Sequence, residues 1–472
     1  MKVFMLGWEF PPHISGGLGT ACYGMTRGLD QIGVEVCFVL PTAVPLDAQS
    51  HVQLRSPTDL QPRRTPTVRP GEAAWPEGPD APGTMPAFRN VELRPVQALL
   101  QAYASPATYE QTARNLMGQS WSAAPAEAAG EAALDSIAPA LPPAVRPGGF
   151  VTGGAGANYG GNLMDQVQRY ARLAMGIARS TDFDVIHAHD WMTYPAGLAV
   201  AACCGKPLVV HVHSTEFDRC GDNVNQQVYE IERTGMHCAA KVVCVSHLTR
   251  NLVTQRYGLP AEKVAVVYNA TEADSVAQLP TEPIRQDEKI VLFLGRITMQ
   301  KGPEYFLQAA RKVIEKYDNV RFIMAGSGDM MVRCIQMAVD MKLGRYVTFP
   351  GFLRGRDVSR VMKMADLYVM PSVSEPFGIA PLEALSHDVP VIISKQSGVS
   401  EVLTHVLKVD FWDTDEMANK ILAVLRHAPL QKTLRQHGQI ELRKLSWIDS
   451  AKQLHEIYDE VAVPPGTPTR TG

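Results

Sequence analysis

No stretch of this sequence approaches the ~18 consecutive apolar residues that a membrane-spanning helix requires, so no membrane span is expected. Charge of one sign is not in excess either. Lys plus Arg number 45 and Asp plus Glu 48, a net charge of −3. A general polyanion binder needs a basic surface, so nucleic acid is excluded as a partner. The eight cysteines contain no CxxC, and two of them, Cys203 and Cys204, are neighbours. This is the pattern of reduced thiols, not of a disulfide frame or a zinc knuckle. The opening residues, MKVFMLGWEFPPHISGG, have no long apolar stretch and no small-residue cleavage site. No signal peptide is therefore expected, and the expected location is the cytoplasm.

What is present is an ordinary globular composition, 46% hydrophobic and 20% charged over 472 residues. That is enough chain for two or three domains of ~100–200 residues each. Short β-branched runs alternate with stretches of helical spacing. One series contains Val3–Gly7, Val34–Leu40, Asp184–His189, Leu208–His213, Val242–Val245 and Val264–Tyr268. A second contains Ile290–Gly295, Arg321–Ala325, Tyr346–Phe349, Leu367–Met370 and Val389–Ser394. Continuous apolar strands alternating with helices predict parallel sheets covered on both faces, hence two doubly wound α/β domains. The first is expected over 1–271 and the second over 289–450, with a polar linker at 272–288. A C-terminal helix at 451–463 is expected to pack back on the first domain, and 464–472 to be a disordered tail. Residues 41–150 hold 17 of the 34 prolines, and seven glycines follow between Gly148 and Gly161. The segment from about 41 to 161 is therefore expected to be a surface insertion, partly disordered.

Four motifs fall at predicted carboxyl ends of strands. Gly16-Gly17-Leu18-Gly19 lies between the first strand and the first helix, where backbone N–H groups can approach an anion. It is not GxGxxG, and a tight turn is the alternative. Arg296 and Lys301, in GRITMQKG, are two cations on one loop that suit a diphosphate; a solvated pair is the alternative. Glu375 and Glu383, in SEPFGIAPLEA, frame Gly378, with Pro381 at a helix start. Their alternatives are a capping carboxylate and a surface Glu, and Glu401 reads as a capping-box acid. HAHDW at 187–191 ends a strand, and His211, His213 and Ser214 end the next. His187 and His189 point the same way, but no further ligand motif such as HExxH accompanies them, so no metal is expected. The four motifs together predict one cleft between the domains, lined for phosphates and sugar hydroxyls.

Gly7-Trp8-Glu9-Phe10-Pro11-Pro12, HAHDW, GRITMQKG and the E-x7-E element SEPFGIAPLEA together resemble retaining nucleotide-sugar glycosyltransferases of the GT-B fold. The resemblance is to the group 1 family and its glycogen- and starch-synthase members, over the first 40 residues and about 163–458. It implies two Rossmann-like domains facing a central cleft, with a nucleotide sugar as donor and neither cofactor nor metal. It implies that Arg296 and Lys301 neutralise the leaving diphosphate. The N–H groups of Gly378, Ile379 and Ala380, and the Gly16-Gly17 loop, hold the same phosphates. Glu375 and His189 face the donor sugar, and Glu383 takes the ribose hydroxyls. Gly326, Phe352 and Leu353 border the nucleotide, while Glu9, His13, Asp190 and His213 line the sugar or acceptor side. Asn269 is placed near the domain junction.

The family's glycogen and starch synthases carry a Lys just before the glycine pair, where this chain has His13-Ile14-Ser15. The expected reaction is transfer of a hexose, glucose first, from ADP- or UDP-glucose to an α-glucan. Alternatives are a small sugar of the sucrose or trehalose type, or a cell-envelope saccharide. A nucleotide-sugar epimerase and an inactive sugar-nucleotide-binding regulator are the competing classes.

Overall fold

The two series of apolar strands form two separate parallel sheets in the computed structural model, which describes residues 1–10, 16–41, 91–95, 163–271 and 288–462. The first sheet contains β1 (Lys2–Leu6), β2 (Glu35–Leu40), β3 (Val91–Pro95), β4 (Val185–His189), β5 (Leu208–Val212), β6 (Lys241–Cys244) and β7 (Val264–Val266). Its order is β3-β2-β1-β4-β5-β6-β7. Around it lie α1 (Gly17–Gln31), α2 (Leu163–Ala178), α3 (Tyr194–Cys204), α4 (Glu216–Cys220), α5 (Gln226–Cys238) and α6 (His247–Arg256). The second sheet contains β8 (Lys289–Leu294), β9 (Val320–Ala325), β10 (Val347–Gly351), β11 (Leu367–Met370), β12 (Val391–Ser394) and β13 (Leu407–Val409), in the order β10-β9-β8-β11-β12-β13. Its helices are α7 (Pro303–Ile314), α8 (Met331–Asp340), α9 (Arg356–Met364), α10 (Ala380–Ser386), α11 (Val399–Val402), α12 (Thr414–Arg426) and α13 (Ala428–Leu442); α14 (Trp447–Ala462) follows.

Every residue of β4, β5, β11 and β12 is buried, as strands covered on both faces require. Helix α3 is buried from Tyr194 to Val200, and α2 buries a stripe that widens to all of its residues from Leu173 on. The helical spacing of Val167, Tyr170, Ala171, Ala174, Ile177 and Ala178 marks the stripe that the sequence announces. The Tyr170 hydroxyl donates to the carbonyls of Val39 (2.9 Å) and Gly7 (3.2 Å), which fixes the chain as it leaves β1. In each sheet the strand order reverses at one place, between β1 and β4 and between β8 and β11. Ligands of open α/β sheets bind outside the carboxyl ends of the strands at such a switch point. All four sequence motifs leave strands that flank these two points or lie next to them.

Three expectations need correction. The insertion is not wholly apart from the sheet, because β3 pairs in parallel with β2 from Val36↔Val91 to Leu40↔Pro95. Alternation in Val91-Glu92-Leu93-Arg94 fits a strand, and Pro95 is tolerated at an edge. The short β13 escaped notice because three residues, Leu407–Val409, carry no period. The C-terminal helix begins at Trp447, not 451, since Ser446 Oγ accepts from the N–H of Ile448 at 3.2 Å. The rest of the insertion, the linker other than Glu288, the tail and His13 lie outside the described residues.

Helix α14 leaves the second unit and packs on α1 of the first. Close approach depends on two glycines of α1. A Cβ on Gly24 would stand 2.1 Å from the Trp447 ring, and one on Gly28 2.3 Å from the Trp447 carbonyl oxygen. A side-chain ring can turn away but a backbone carbonyl cannot. Gly28→Ala is therefore expected to lower the unfolding free energy by ~1–3 kcal/mol, the usual cost of overpacking, as measured by chemical denaturation.

Candidate active site

The second unit supplies a polar pocket built from three loops. After β8, Gly295–Ile297 runs beside 325–330. Gly295 N–H donates to the Ala325 carbonyl (3.1 Å), Ile297 N–H to Ser327 (2.9 Å) and Met330 N–H to Ile297 (3.0 Å). Gly326, at φ +144°, allows this: a Cβ there would lie 1.8 Å from the Gly295 carbonyl oxygen. One 3₁₀ turn, Met299–Lys301, then presents Lys301 just before α7. Its middle residue, Gln300, is buried. The Gln300 carbonyl accepts from Val373 N–H (2.9 Å), and its side-chain oxygen accepts from Arg296 Nη2 (3.1 Å). Gln300 thus locks the first cationic loop to the loop after β11.

Lys301 Nζ lies 2.5 Å from Glu375 Oε2. Ser372 Oγ donates to the same oxygen at 3.1 Å. The Glu375 backbone is stitched to the loop after β12, donating to Gln396 (2.9 Å) and accepting from Gly398 (2.9 Å). Gly378 has φ +102°, which folds the loop back so that its Cα side lies against Glu375 and Met370. Among the described residues, no acceptor is bonded to the N–H groups of Gly378, Ile379 or Ala380. Glu383, in the first turn of α10, is half-buried, and burial raises its carboxyl above the ordinary Glu range. The Tyr368 phenol is driven well up, first by burial and then by the charges of Glu375 and Glu383, which places both carboxylates near one ring. Arg296, Lys301, Glu375, Glu383 and Gly378 are therefore gathered at the β8/β11 switch point. Gly326 N–H donates to Gly351 (2.8 Å), bringing the exposed Phe352 and half-buried Leu353 to the rim. The Arg354 guanidinium lies over the Phe352 ring, 5.2 Å from its centre.

The first unit faces this pocket with less than the sequence suggested. Gly17 is exposed, and among the described residues nothing stands within 4 Å of where its side chain would be. Glu9 and Asp190, expected on the sugar side, are both buried and brace loops. Glu9 accepts from Gly19 N–H (3.2 Å). Asp190, in a left-handed conformation at φ +58°, accepts from the N–H groups of His213 (2.7 Å) and Ser214 (3.3 Å). Burial pushes the Asp190 carboxyl up to about 7 against those bonds. His189, expected to face the donor sugar, has no accessible surface. Its register partner on β5 is His211, and His213 lies two residues further toward the cleft. His213 is the half-buried one and takes the accessible place.

Several positioning residues were missed. Ser374 Oγ donates to Asp218 Oδ1 on α4 at 2.5 Å, joining the two units beside Glu375. Asp218 also completes a capping box with Thr215, a T-x-x-D signal present in the sequence. Arg219 pairs with Glu216 (2.9 Å) and Glu232 (2.5 Å) beneath that loop. Glu401 does not cap its own helix. It accepts from His247 N–H (2.9 Å), Leu248 N–H (2.7 Å) and Tyr268 OH (3.0 Å), and so caps α6 of the other unit. Asn269 follows Tyr268 directly and is buried with its side-chain oxygen unpartnered among the described residues.

Two Rossmann-like sheets whose switch points share one polar cleft, with paired cations and an E-x7-E loop, define the GT-B class of glycosyltransferase. The family profile "Glycosyl transferases group 1" matches residues 277–440, and "Glycosyltransferase Family 4" matches 137–275. An uncharacterized glycosyltransferase of Methanocaldococcus jannaschii is 31% identical over 302 residues, covering 60% of this chain and 77% of that one. The chain belongs to the group 1 glycosyl transferases. A glycogen synthase of Mycobacterium tuberculosis is 26% identical over 233 residues, 48% of this chain and 56% of that protein. In fold, the chain is similar to sucrose-phosphate synthase from Thermosynechococcus elongatus, with TM-score 0.65, 16% identity and 98% of each chain covered. It is also similar to Anabaena HepE in complex with UDP and glucose, with TM-score 0.62, 16% identity, and 98% of this chain and 100% of that one covered. No helix among the described residues is long and apolar enough to cross a membrane.

Removing the Glu401 carboxylate deletes a cap that belongs to one unit from a helix of the other. Glu401→Ala is expected to cost ~0.5–2 kcal/mol, the range for a lost N-cap. Glu401→Gln, which keeps an acceptor, should cost less. Urea unfolding of the two variants checks this.

Proposed function

We propose that this enzyme transfers a hexosyl unit, glucose first, from a nucleoside diphosphate sugar to an α-glucan, with retention of anomeric configuration. One observation carries the reading: Arg296 and Lys301 stand on the loop after β8, Lys301 is paired with Glu375 of an E-x7-E element, and among the described residues no acceptor is bonded to the N–H groups of Gly378–Ala380 that lie between its two carboxylates in the chain. Departure of a diphosphate develops negative charge, and preorganised donors at that point are the largest single contribution to such a transfer. Arg296, Lys301 and the three N–H groups supply those donors, so the proposed transfer needs no metal and no cofactor. The open Gly16-Gly17 turn would approach the phosphates from the first unit. Glu383 would accept the ribose hydroxyls, with Gly326, Phe352 and Leu353 beside the base.

Without donor, Lys301 holds Glu375. When the diphosphate arrives, Lys301 would turn to it, and Glu375 would take sugar hydroxyls. A carboxylate so committed is a poor candidate for a glycosidase-style nucleophile. In the proposed retention, the leaving phosphate deprotonates the acceptor hydroxyl on the same face. His213, the accessible imidazole of the first unit, would border the acceptor.

A small-sugar acceptor is the second reading. It is favoured by the missing Lys before Gly16-Gly17, which sets this chain apart from the synthase pattern.

Release of nucleoside diphosphate from UDP-, ADP- and GDP-sugars, with glycogen, maltose or glucose as acceptor, tests the proposal. Glycogen-dependent release is expected. Release with a small sugar alone moves the reading to a disaccharide-forming enzyme, and no release with any pair sinks it. Lys301→Ala should lower kcat by ~10²–10³-fold, as loss of one leaving-group donor does.

Glu383 adds a pH dependence. Its carboxyl is raised by burial, and the ionised form is the stronger acceptor. Donor affinity should therefore fall as pH drops through that raised value, earlier than an ordinary Glu would allow. Calorimetric titration of the nucleotide across pH should show this limb in the wild type and lack it in Glu383→Gln.

A further inference from the structure

Four histidines share one face of the first sheet. His187 and His189 are two apart on β4, His211 is the register partner of His189 on β5, and His213 is two beyond it. His187, His189 and His211 have no accessible surface. One ring nitrogen from each lies within 4.8 Å of the others. Buried polar atoms are normally hydrogen-bonded, yet among the described residues Nε2 of His189 and Nε2 of His211 have no partner. The opposite nitrogens of two rings are held. His187 Nδ1 pairs with the Tyr458 hydroxyl at 2.5 Å, and His189 Nδ1 pairs with His213 Nε2 at 2.9 Å. His187 Nε2 lies 3.3 Å from His211 Nδ1.

We infer that His187, His189 and His211 form a buried site for a first-row divalent metal ion of the zinc type. Metal-bound imidazoles characteristically have one nitrogen on the ion and the other fixed by an outer partner. Tyr458 and His213 are those outer partners here. Three imidazoles suit zinc, cobalt, nickel or copper, and leave a fourth place for a water. With bonds of ~2.0–2.1 Å, neighbouring ligands of a tetrahedral ion stand ~3.4 Å apart, close to the 3.3 Å between His187 Nε2 and His211 Nδ1; His211 would then ligate through Nδ1, and the unpartnered Nε2 that the ion takes up is that of His189. The three rings lie near parallel, with interplanar angles of 4–26° and centres 4.4–5.4 Å apart, so the rings must turn for their in-plane nitrogens to converge and close the 4.8 Å spread. Asp190, the next residue and also buried, holds the backbone of His213 and Ser214 beside the cluster. The ion would tie β4, β5 and, through Tyr458, α14 together at the floor of the cleft. It takes no part in the transfer step.

The test uses the full chain without an affinity tag, purified in chelator-free buffer. Elemental analysis should find about one equivalent of a first-row metal. After stripping, added Co²⁺ should give the visible d–d bands of a tetrahedral site. Tyr458→Phe should keep those bands but weaken Co²⁺ binding by ~10–100-fold, as loss of an outer partner does. His211→Gln should abolish them. Wild-type protein that is metal-free as purified and gives no bands, while its circular dichroism is unchanged by stripping, overturns the inference. Bands that persist in His211→Gln overturn it too.

Discussion

The cleft is organised around one ion pair, Lys301 with Glu375. It joins the loop that leaves β8 to the loop that leaves β11, the two strands that flank the switch point of the second sheet. Lys301 is one-fifth exposed and Glu375 less than one-tenth, so neither charge is fully solvated. Each needs a partner in the resting molecule, and each finds the other. Ser372 and Gln300 hold the same geometry from the side. In the proposed reaction the donor enters by exchange: the diphosphate takes Lys301 and the sugar takes Glu375. Such an exchange begins from charges already desolvated and oriented, which is what electrostatic preorganisation requires.

Several contacts beside the proposed site hold the two units in register. Ser374 reaches Asp218, and Glu401 caps α6. Gly398 lets the second unit approach the first, since a Cβ there would stand 2.5 Å from Ser246 Cβ. Helix α14 then crosses back and anchors on Gly24 and Gly28 of α1. Opening of the cleft, the motion expected of enzymes that close around a substrate, would have to break the first group while keeping the second. The cap and the Ser374 hydroxyl bond are both bonds to a carboxylate, Glu401 in one case and the buried Asp218 in the other, so opening would need water to take their place.

Much of this was legible in the sequence. The central strands announce themselves because burial on both faces demands continuous apolar, largely β-branched runs, of which Leu208–Val212 is the clearest. The loops proposed to hold the diphosphate follow from glycine, Arg and Lys placed just after such strands. What the sequence hid were contacts between residues far apart in the chain. Glu401 has the spacing of a local capping acid and serves a helix some 150 positions away. His189 and His213 have equal claims to the cleft until the register of β4 against β5 is known. The strand at Val91–Pro95 was masked by the proline-rich composition around it, although its own residues alternate as an edge strand should.

The central claim is that the loops at 295–302 and 375–383 form a diphosphate site. Hydrogen–deuterium exchange with and without UDP, ADP or GDP measures it most directly. The account predicts that one of the three slows exchange in peptides covering both loops, above all at the N–H groups of Gly378, Ile379 and Ala380, which have no acceptor among the described residues. Binding of a nucleotide that leaves both loops exchanging as in the free protein would contradict it.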